Sequence, residues 1–572
     1  MTAQHGRAAG VSRRDFLRYS LATGTVWAGG QVPATLGVAQ ARDLFAVTSS
    51  RPPAEVFPQS VASGDPAPDG MVLWTRVAPA APGGSVTVAY EIAADETFRS
   101  PVLRGVAETG PQRDHTVKVQ LARPELAPFT TYYYRFVFEG VASRTGRTKT
   151  LPAPDAVVGR IRLGYTSCQD YTNGYYTALR HLAREDLDYV VHLGDYIYET
   201  VDAESFQGSG PAARALQLPG GGERAEALDD YRFLYAAYRS DPDLQRVHER
   251  YAFITIWDDH EFANDAYREF DTDSADEAAN FAPQRRSDAN QAWAEYQPAG
   301  VPYDPALGPL DELRIYRSFR FGDLLELVMT DERLYRDGPP CGLEQGDRTF
   351  TTGCGAERDP QRTMLGATQR EWFLDRLTTS TARWKVWGNE TMVMQFKLLT
   401  SLARQMAPGA DIPAASGGVY FNLDQWDGYQ AERATIVARI KQTGTRNVVV
   451  ITGDLHSFLA GYVRENFDDP AEPPSAVCFM AGSTTSANLA ELLLRRGIPI
   501  SPNLDLAPLL QRSNPHLAYF NSDTHGYNVL EITPEALTCT MRSVSTVFRP
   551  RAFRRTLASF RVPVDQVLIE RV

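Results

Sequence analysis

The stretch LDYVVHLGDYIY, residues 187–198, decides the fold class of this chain. Its first part is a largely apolar run, as expected for a strand that is buried between two layers. Its second part is a loop that begins with Gly194-Asp195 and carries Tyr198. Loops that follow the parallel strands of an α/β sheet line one crevice at the carboxyl ends of those strands. The stretch therefore predicts an α/β domain with a functional site at one edge of its sheet.

Three further strand-like runs end in the same way. The motifs that follow them are Cys168-Gln169-Asp170 after residues 161–167, Trp257-Asp258-Asp259-His260-Glu261 after residues 251–256, and Gly453-Asp454-Leu455-His456 after residues 447–452. Each motif alone fits a turn or a solvated charge run. Together they deliver carboxylate, imidazole, thiol and phenol groups to strand ends, and these groups are metal ligands. We therefore predict a metal cluster in the crevice.

The residue types indicate two kinds of metal ion. The Tyr198 phenolate and the Cys168 thiolate form near neutral pH only beside a strong Lewis acid, for which ferric iron is the best match. Carboxylates suit a hard divalent ion such as Ca²⁺, with Mn²⁺ or Mg²⁺ as alternatives, and the chain offers Asp170, Asp195, Asp259 and Asp454. Asp195 is placed to bridge both ions. Such a centre would activate hydroxide for attack on a phosphate ester.

The length of 572 residues exceeds that of a usual single core, so we expect several domains. Evenly spaced strand patterns over residues 55–150 predict a small all-β sandwich domain. Residues 160–541 alternate strand and helix patterns and form the predicted catalytic domain, and residues 542–572 are a C-terminal extension. Residues 202–226 are interpreted as a surface insertion, and residues 398–425 as a second long insertion without a motif.

Smaller patterns give further expectations. Thr368-Gln369-Arg370-Glu371 matches a capping box at the start of a helix that continues through Leu377. Cys341 and Cys354 lie 13 positions apart in a Gly-rich loop and could form a disulfide or remain as thiols. Cys478 and Cys539 are expected to be buried thiols.

The N-terminal residues 1–41 match a twin-arginine signal peptide. Arg13 and Arg14 lie in a twin-arginine pattern, a mildly apolar stretch follows, and Ala39-Gln40-Ala41 offers a cleavage site. We therefore expect export through the twin-arginine machinery and a secreted, periplasmic or cell-wall location, without a stable membrane anchor. The net charge of −12 argues against nucleic acid as a partner. Nothing in the sequence indicates a homo-oligomer, and we expect a monomer.

The ordered motifs Cys-x-Asp, Gly-Asp-x-x-Tyr, Asp-Asp-His-Glu and Gly-Asp-x-His resemble those of the PhoD-like alkaline phosphatases, a branch of the calcineurin-like metallophosphoesterases. The signal, the N-terminal β domain, residues 331–336 and Asn514-Pro515-His516 fit the same family. The resemblance implies a four-layer αββα core with Fe³⁺ and Ca²⁺ at the site. It assigns iron to Cys168, Asp195, Tyr198 and His456.

The same resemblance assigns calcium to Asp259, Asn264 and Asp454, and Asp195 is shared between the two metal ions. Asp259 is the positional match to the family ligand, and Asn264 is the nearby alternative. Asp170 becomes a further metal-binding or catalytic carboxylate. His260 becomes the group that hydrogen-bonds the phosphate or protonates the leaving group, with a structural histidine as the alternative. Where the superfamily carries another histidine, this chain has Gly388-Asn389-Glu390, so the second metal shell departs from the wider pattern.

Three residues are weaker candidates for substrate binding. Arg333 and Arg336 could clamp phosphate oxygens or form ordinary surface ion pairs, and Asn389 could contact substrate. The leading functional hypothesis is an alkaline phosphatase that releases phosphate from monoesters, with diesters as further candidate substrates. A phosphodiesterase or phospholipase D of the same family is the alternative. A non-catalytic cell-surface binding protein with structural calcium is the hypothesis from another class.

Overall fold

The computed structural model describes residues 25–26, 43–81, 83–203, 207, 210–343, 349–495 and 506–572. Apart from residues 25–26, the predicted signal peptide lies outside these residues, and so do its twin-arginine pattern and its cleavage site. The described part is built on two large mixed β-sheets with helices packed on them, which confirms the predicted α/β class. In the described ranges we find no helix that is long and apolar enough to span a bilayer.

The first sheet has eleven strands. Its three central strands, Tyr189–Leu193 between Ile161–Thr166 and Ala252–Ile256, run parallel to one another. In spatial order the strands are Thr25–Val26, Thr116–Ala122, Gly70–Arg76, Val61–Ala67, Ala252–Ile256, Tyr189–Leu193, Ile161–Thr166, His525–Ile532, Ala536–Val544, Arg554–Pro563 and Glu570–Arg571.

The second sheet has seven strands, and the four at positions two to five are parallel. In spatial order they are Arg317–Phe321, Leu325–Met329, Trp384–Gly388, Val448–Thr452, Ala476–Met480, Phe458–Val463 and Leu517–Asn521. The inner faces of the two sheets share one apolar core, to which Leu163, Ile254, Leu327 and Ile451 contribute. The parallel strands are therefore buried between layers, as their near-continuous apolar runs predict.

Helices cover the outer faces of both sheets and complete the four-layer αββα arrangement. Phe373, Leu377 and Ile436 pack from helices onto the second sheet, and Leu179, Leu182 and Val247 pack onto the first. The helices are Pro53–Val56, Thr177–Leu182, Leu228–Tyr238, Pro242–Arg250, Pro283–Tyr296, Ala367–Thr379, Thr400–Met406, Gln430–Gln442, Leu489–Arg495 and Leu506–Ser513.

The N-terminal β-sandwich shares a sheet with the larger α/β unit. One layer has the five strands Val86–Ala93, Leu103–Thr109, Thr131–Phe138, Val141–Ala142 and Gly146–Lys149. The other layer consists of strands that belong to the first large sheet, where Ser63 pairs with Ala252 in parallel register. The two layers enclose a core of their own. The all-β sandwich is thus joined to the α/β unit by main-chain hydrogen bonds.

Several smaller expectations can now be compared with the structure. The helix Ala367–Thr379 forms where predicted, but its N-cap is Gly366, which makes no side-chain capping bond. The predicted capping box is wrong because Thr368 lies inside the helix and Gln369 turns inward to bond the Asp331 backbone. The disulfide Cys341–Cys354 is formed, and Cys478 and Cys539 are buried free thiols as predicted.

The C-terminal residues extend the first large sheet. Arg542 lies within Ala536–Val544, and Arg554–Pro563 pairs antiparallel with that strand. The buried side chains of Ala558 and Phe560 fix the second strand to the core. The region called an extension in the sequence is therefore a structural edge of the sheet.

Candidate metal centre

The four motifs come together at the carboxyl ends of the parallel strands. Four of their residues have left-handed backbone angles, with φ of 56° at Cys168, 55° at Asp195, 64° at Asp454 and 52° at His456. Residues other than glycine adopt this region uncommonly, and such strain concentrates at functional sites. The backbone turns sharply at each strand end and aims these side chains at one another.

The predicted iron ligands form the first cluster. Ligand atoms of Cys168, Asp195 and His456 all lie within 4.8 Å of one another. The Tyr198 hydroxyl completes the set, since it donates to Asp195 Oδ2 at 2.9 Å and lies 3.3 Å from His456 Nε2. His456 Nδ1 donates to the Ala487 carbonyl at 2.7 Å, which leaves the Nε2 lone pair directed at the cluster.

The pKa shifts of the groups in this cluster fit a strongly positive ion as their partner. Burial raises the pKa of the Cys168 thiol and of the Tyr198 hydroxyl well above their usual values, and nearby Asp195 adds to both shifts. Burial lowers the pKa of His456 to about 4, so its imidazole is neutral at physiological pH. Thiol and phenol in this setting would lose their protons only to a strong Lewis acid. The donor set fits the ferric ion expected from the sequence.

A second group of carboxylates adjoins the first cluster. Asp195 and Asp259 lie together with His260, and Asp259 also lies together with Asp258 and Asp454. Asp195 Oδ1 and Asp258 Oδ2 are buried and have no hydrogen-bond partner among the described residues. Unpaired buried carboxylate oxygens are costly unless a cation neutralises them. The arrangement therefore fits a hard cation that shares Asp195 with the first cluster.

Asn264 and Asp265 lie beside Asp259 at the edge of this group. The Asp265 backbone N–H donates to Asp259 Oδ2 at 2.6 Å, and the Asn264 backbone N–H donates to Glu199 at 2.8 Å. Both residues line the same cavity as Asp259. The Asp259 carboxylate belongs to the cluster, and Asn264 lines the cavity beside it.

Asp170 is not brought into any cluster of metal-binding groups among the described residues. Its Oδ1 accepts from the Thr172 backbone N–H at 2.9 Å and from the Thr172 hydroxyl at 2.8 Å. Its Oδ2 accepts from Gln207 Nε2 at 3.1 Å. Both oxygens thus accept hydrogen bonds from protein donors, and these bonds fix the loop that follows Cys168. Gln207 belongs to the stretch that the sequence suggested was a plain surface insertion, and that interpretation is wrong at this residue.

His260 is paired with a carboxylate that the sequence analysis missed. Its Nδ1 lies 2.7 Å from Glu199 Oε2, and its ring stacks on Tyr198 with centroids 4.1 Å apart. Burial alone would lower the pKa of His260, but Glu199, Asp259 and Asp195 outweigh it and raise the pKa well above the usual value. These three carboxylates therefore favour the protonated imidazole at the cavity wall.

Arg333 lies within the site and is fully buried, so it is not an ordinary surface ion pair. Its Nη1 donates to Asp424 at 2.8 Å and its Nε pairs with Asp258. Its Nη2 has no hydrogen-bond partner among the described residues and lies 3.5 Å from Asp454 Oδ2. Arg333 therefore offsets part of the carboxylate charge and directs one unused donor at the cluster.

The other two weak candidates are committed to structural contacts. Arg336 donates to Asp424 Oδ1 and to the Asp265 carbonyl, both at 2.6 Å, and to the Ala266 carbonyl at 3.0 Å. Asn389 accepts from Trp426 Nε1 at 2.8 Å and its amide donates to the Thr391 carbonyl. Neither residue lines the cavity. Arg336 therefore ties the loop that follows Asn264 to Asp424.

A cavity of about 910 Å³ opens onto the metal-binding groups. Its polar wall includes Asp259, His260, Asn264, Asp454 and His456. Its apolar wall comes from the three-stranded sheet Thr349–Thr351, Val419–Asn422 and Lys397–Leu398 and from the helix Thr400–Met406 and the loop after it, which contribute Phe350, Phe396, Phe421, Met406 and Ile412. Much of this wall lies in residues 398–425, the stretch interpreted from the sequence as a second long insertion without a motif.

Two residues of the site were not predicted, and they differ in how visible they are in the sequence. Glu199 directly follows Tyr198, so the strand-end motif could have been extended by one position. Asp424, which bonds both Arg333 and Arg336, lies in a loop without a recognisable pattern. Its role depends on a tertiary contact across about ninety residues and could not have been found from one sequence.

Comparisons with known proteins identify the family of this chain. The family model for the PhoD-like phosphatase matches residues 163–541, and the model for the PhoD-like phosphatase N-terminal domain matches residues 40–152. Alkaline phosphatase D of Bacillus subtilis (strain 168) is 34% identical over 523 residues, which is 90% of this chain and 82% of that protein. A solved structure described as the structure of PhoD superposes with a TM-score of 0.78 at 32% identity and covers 91% of this chain and 92% of its own.

Together these matches span most of the chain, in both its N-terminal and its larger part. The solved structure confirms the fold, and the relative is an enzyme of the phosphatase class. The chain therefore belongs to the PhoD-like phosphatase family and is a phosphoester hydrolase.

Proposed function

We propose that this protein is an exported alkaline phosphatase that hydrolyses phosphoric monoesters at a two-metal centre. The single observation that carries the proposal is the sharing of Asp195 between two clusters of buried ligand groups, one containing Cys168 and His456 and the other Asp259. Two ions that share one carboxylate can hold the oxygens of one phosphate group. Membership of an enzyme family favours this hydrolase over the non-catalytic surface protein considered from the sequence.

We propose Fe³⁺ for the cluster of Cys168, Asp195, Tyr198 and His456, because thiolate and phenolate match that ion. We propose Ca²⁺, or Mn²⁺ or Mg²⁺ in its place, for the oxygen-rich group around Asp259, Asn264 and Asp454. Bound ions of this kind supply positive charge to phosphate oxygens and lower the pKa of water.

The protein groups around the ions have separate tasks in this proposal. His260, kept charged by Glu199, donates a hydrogen bond to the phosphate or a proton to the leaving oxygen. Arg333 stabilises the crowded carboxylates and orients Asp454. Asp170 fixes the loop of Cys168 through Thr172 and Gln207 and does not take part in proton transfer.

Phosphodiesterase activity is the second candidate, and the cavity favours it. A phosphate group is small compared with about 910 Å³, and the wall of Phe350, Phe396, Phe421, Met406 and Ile412 offers apolar contact to an organic group. A diester brings two such groups to the site. The apolar wall would therefore raise the turnover of bulky diesters relative to small monoesters.

A paired hydrolysis assay tests this proposal. The purified protein is given a chromogenic phosphate monoester or the matching diester, with added Ca²⁺ or with a chelator. We expect calcium-dependent release from the monoester, and the ratio to the diester chooses between the two activities. Phe421→Ala should raise KM for bulky esters more than for small ones. Absence of turnover with either substrate in metal-loaded protein would contradict the proposal.

We also propose that residues 1–41 direct export through the twin-arginine pathway and that the mature enzyme acts outside the cytoplasm as a monomer. The support is the Arg13-Arg14 pair ahead of an apolar stretch and an Ala-x-Ala site. Replacing both arginines by lysine should leave the full-length precursor inside the cell. Export of that variant at the normal level would contradict the proposal.

A further inference from the structure

A loop near the C-terminus exposes two aromatic side chains. Residues 545–553 connect the strands Ala536–Val544 and Arg554–Pro563. Phe553 is 81% exposed and Phe548 is 42% exposed. Val547, which directly precedes Phe548, is fully buried. We call residues 545–555, which are this loop and the two arginines that follow it, the basic aromatic loop. Two exposed phenylalanines five positions apart in one loop form an apolar feature that folding of this chain does not use.

The same loop carries unbalanced positive charge. Arg549, Arg551 and Arg555 are exposed, and none has a carboxylate within ion-pair distance in the part of the chain that the structure describes. Arg554, in contrast, pairs with Glu185. No Asp or Glu occurs between Glu535 and Asp565 in the sequence, although the whole chain has a net charge of −12. The loop is thus a basic surface on an acidic protein.

The loop is held rigidly by the domain beneath it. Val547 and Pro550 accept hydrogen bonds through their carbonyls, from the Tyr175 backbone N–H at 2.7 Å and from Arg180 Nη1 at 2.6 Å. The Ala552 carbonyl accepts from His181 Nε2 at 2.9 Å. A loop with its main chain fixed in this way presents its side chains without a large ordering cost on binding.

We propose that the basic aromatic loop docks this protein reversibly on the surface of an anionic lipid bilayer. Arginines beside exposed aromatic residues are the chemistry of interfacial attachment, since the rings enter the headgroup boundary while the guanidinium groups contact lipid phosphates. Guanidinium also forms paired hydrogen bonds with phosphate. The attachment is peripheral and requires no membrane-spanning segment. It does not depend on the proposed function, because no residue of the loop lines the cavity.

Vesicle co-sedimentation tests this proposal. The metal-loaded full chain is mixed with vesicles of phosphatidylglycerol and phosphatidylcholine, or of phosphatidylcholine alone, at low and high salt. We expect binding to the anionic vesicles that weakens with salt. The double variant Phe548→Ser/Phe553→Ser and the triple variant Arg549→Ser/Arg551→Ser/Arg555→Ser should each lose at least tenfold in apparent affinity.

Matched controls separate docking from folding. Phe281 is 53% exposed elsewhere on the chain, and Phe281→Ser should bind vesicles as the unaltered protein does. All variants should hydrolyse a soluble monoester at the unaltered rate, because their changes lie on exposed side chains outside the cavity. Absence of binding to anionic vesicles would overturn the proposal. Loss of binding in the arginine variant but not in the phenylalanine variant would also overturn it, because the rings would then not enter the headgroup boundary.

Discussion

The carboxylate of Glu261 accepts a hydrogen bond from the backbone N–H of Asp195 at 3.0 Å. It also accepts from the backbone N–H groups of Tyr196 at 2.7 Å and Asp258 at 2.8 Å. One buried side chain thus ties the loop that presents Asp195 and Tyr198 to the loop that presents Asp259 and His260. Gly194 allows the close approach, since a Cβ there would lie 2.4 Å from the Cβ of Asp258.

Glu261→Gln should weaken both loops together. An amide group can accept at one oxygen only, so at least one buried N–H loses its partner, which costs about 1–3 kcal/mol. We expect a lower melting temperature and weaker metal binding, measured by thermal unfolding and metal titration. Glu312→Gln is the matched control, because the buried Glu312 is bonded by the reorientable side chains of Ser287 and Asn290. Equal metal affinity in Glu261→Gln and the unaltered protein would contradict this role.

His260→Asn should lower kcat by a factor of about 10²–10⁴, the usual contribution of a positioned acid or base. Glu199→Gln removes the nearest carboxylate that raises the pKa of His260. The pKa of His260 then falls, and the pH above which the imidazolium is lost moves downward. The pH profile of kcat/KM measures this shift. An alkaline limb at the same pH in both proteins would show that His260 is not the titrating acid.

Tyr198→Phe and Cys168→Ser should act on the iron cluster selectively. A phenolate bound to ferric iron gives a visible absorption band through ligand-to-metal charge transfer, so the phenylalanine variant should lose colour. The serine variant removes the thiolate, a soft donor whose replacement changes metal preference. Iron content and the visible spectrum check both expectations. Unchanged colour in Tyr198→Phe would exclude a phenolate ligand at this position.

The metal-free protein should lose stability as pH rises. Burial, together with neighbouring carboxylates, raises the pKa of Asp195 and of Asp454 to about 8, against about 3.9 for an unfolded aspartate. The folded state therefore binds more protons than the unfolded state between those values, and the free energy of unfolding falls with rising pH across this window.

Denaturant unfolding at pH 5 and pH 8, with and without chelator, measures this slope. Bound cations should reduce the fall of the free energy of unfolding with rising pH. Asp195→Asn should also reduce this fall in the chelated protein, because one titrating carboxyl is gone. A chelated protein that is equally stable at both pH values would contradict the assignment of these carboxylates as a mutually repelling group.

The disulfide Cys341–Cys354 should support the apolar wall of the cavity. It encloses Thr349 and Phe350, which line the cavity. Loop-closure entropy limits its contribution to about 3 kcal/mol for a loop of this size. In Cys341→Ser/Cys354→Ser we expect a higher KM for bulky diesters and an unchanged kcat for a small monoester. An equal loss of activity towards both substrates would show that the disulfide stabilises the whole protein and does not specifically hold the apolar wall in place.

Strand-end motifs were readable in the sequence because their strands are apolar and their loops carry metal-binding groups. Cys168, Asp195, Tyr198, Asp259, Asp454 and His456 lie together in the fold as the motifs predict. Asp170 could not be separated from them by sequence, because its Oδ2 accepts from Gln207, 37 residues away along the chain, and no local pattern reports that contact.

The surroundings of the site were less predictable than its motifs. The left-handed backbone of Asp454 and His456 and the burial of Arg333 follow from tertiary packing, which no local pattern reports. The cavity wall combines residues near positions 350, 396, 406 and 421, and only the folded chain brings them together. Residues 398–425 were interpreted as an insertion because the residues that they contact are distant in the sequence.

The measurement that tests the central claim most directly is the metal content and the monoester turnover of one preparation before and after exhaustive chelation. The account predicts bound iron together with a divalent ion in the active protein, loss of turnover when they are removed, and recovery when both are restored. Turnover that persists undiminished in metal-free protein would contradict the account, because Asp195 and its neighbours would then perform hydrolysis without the ions for which they are arranged.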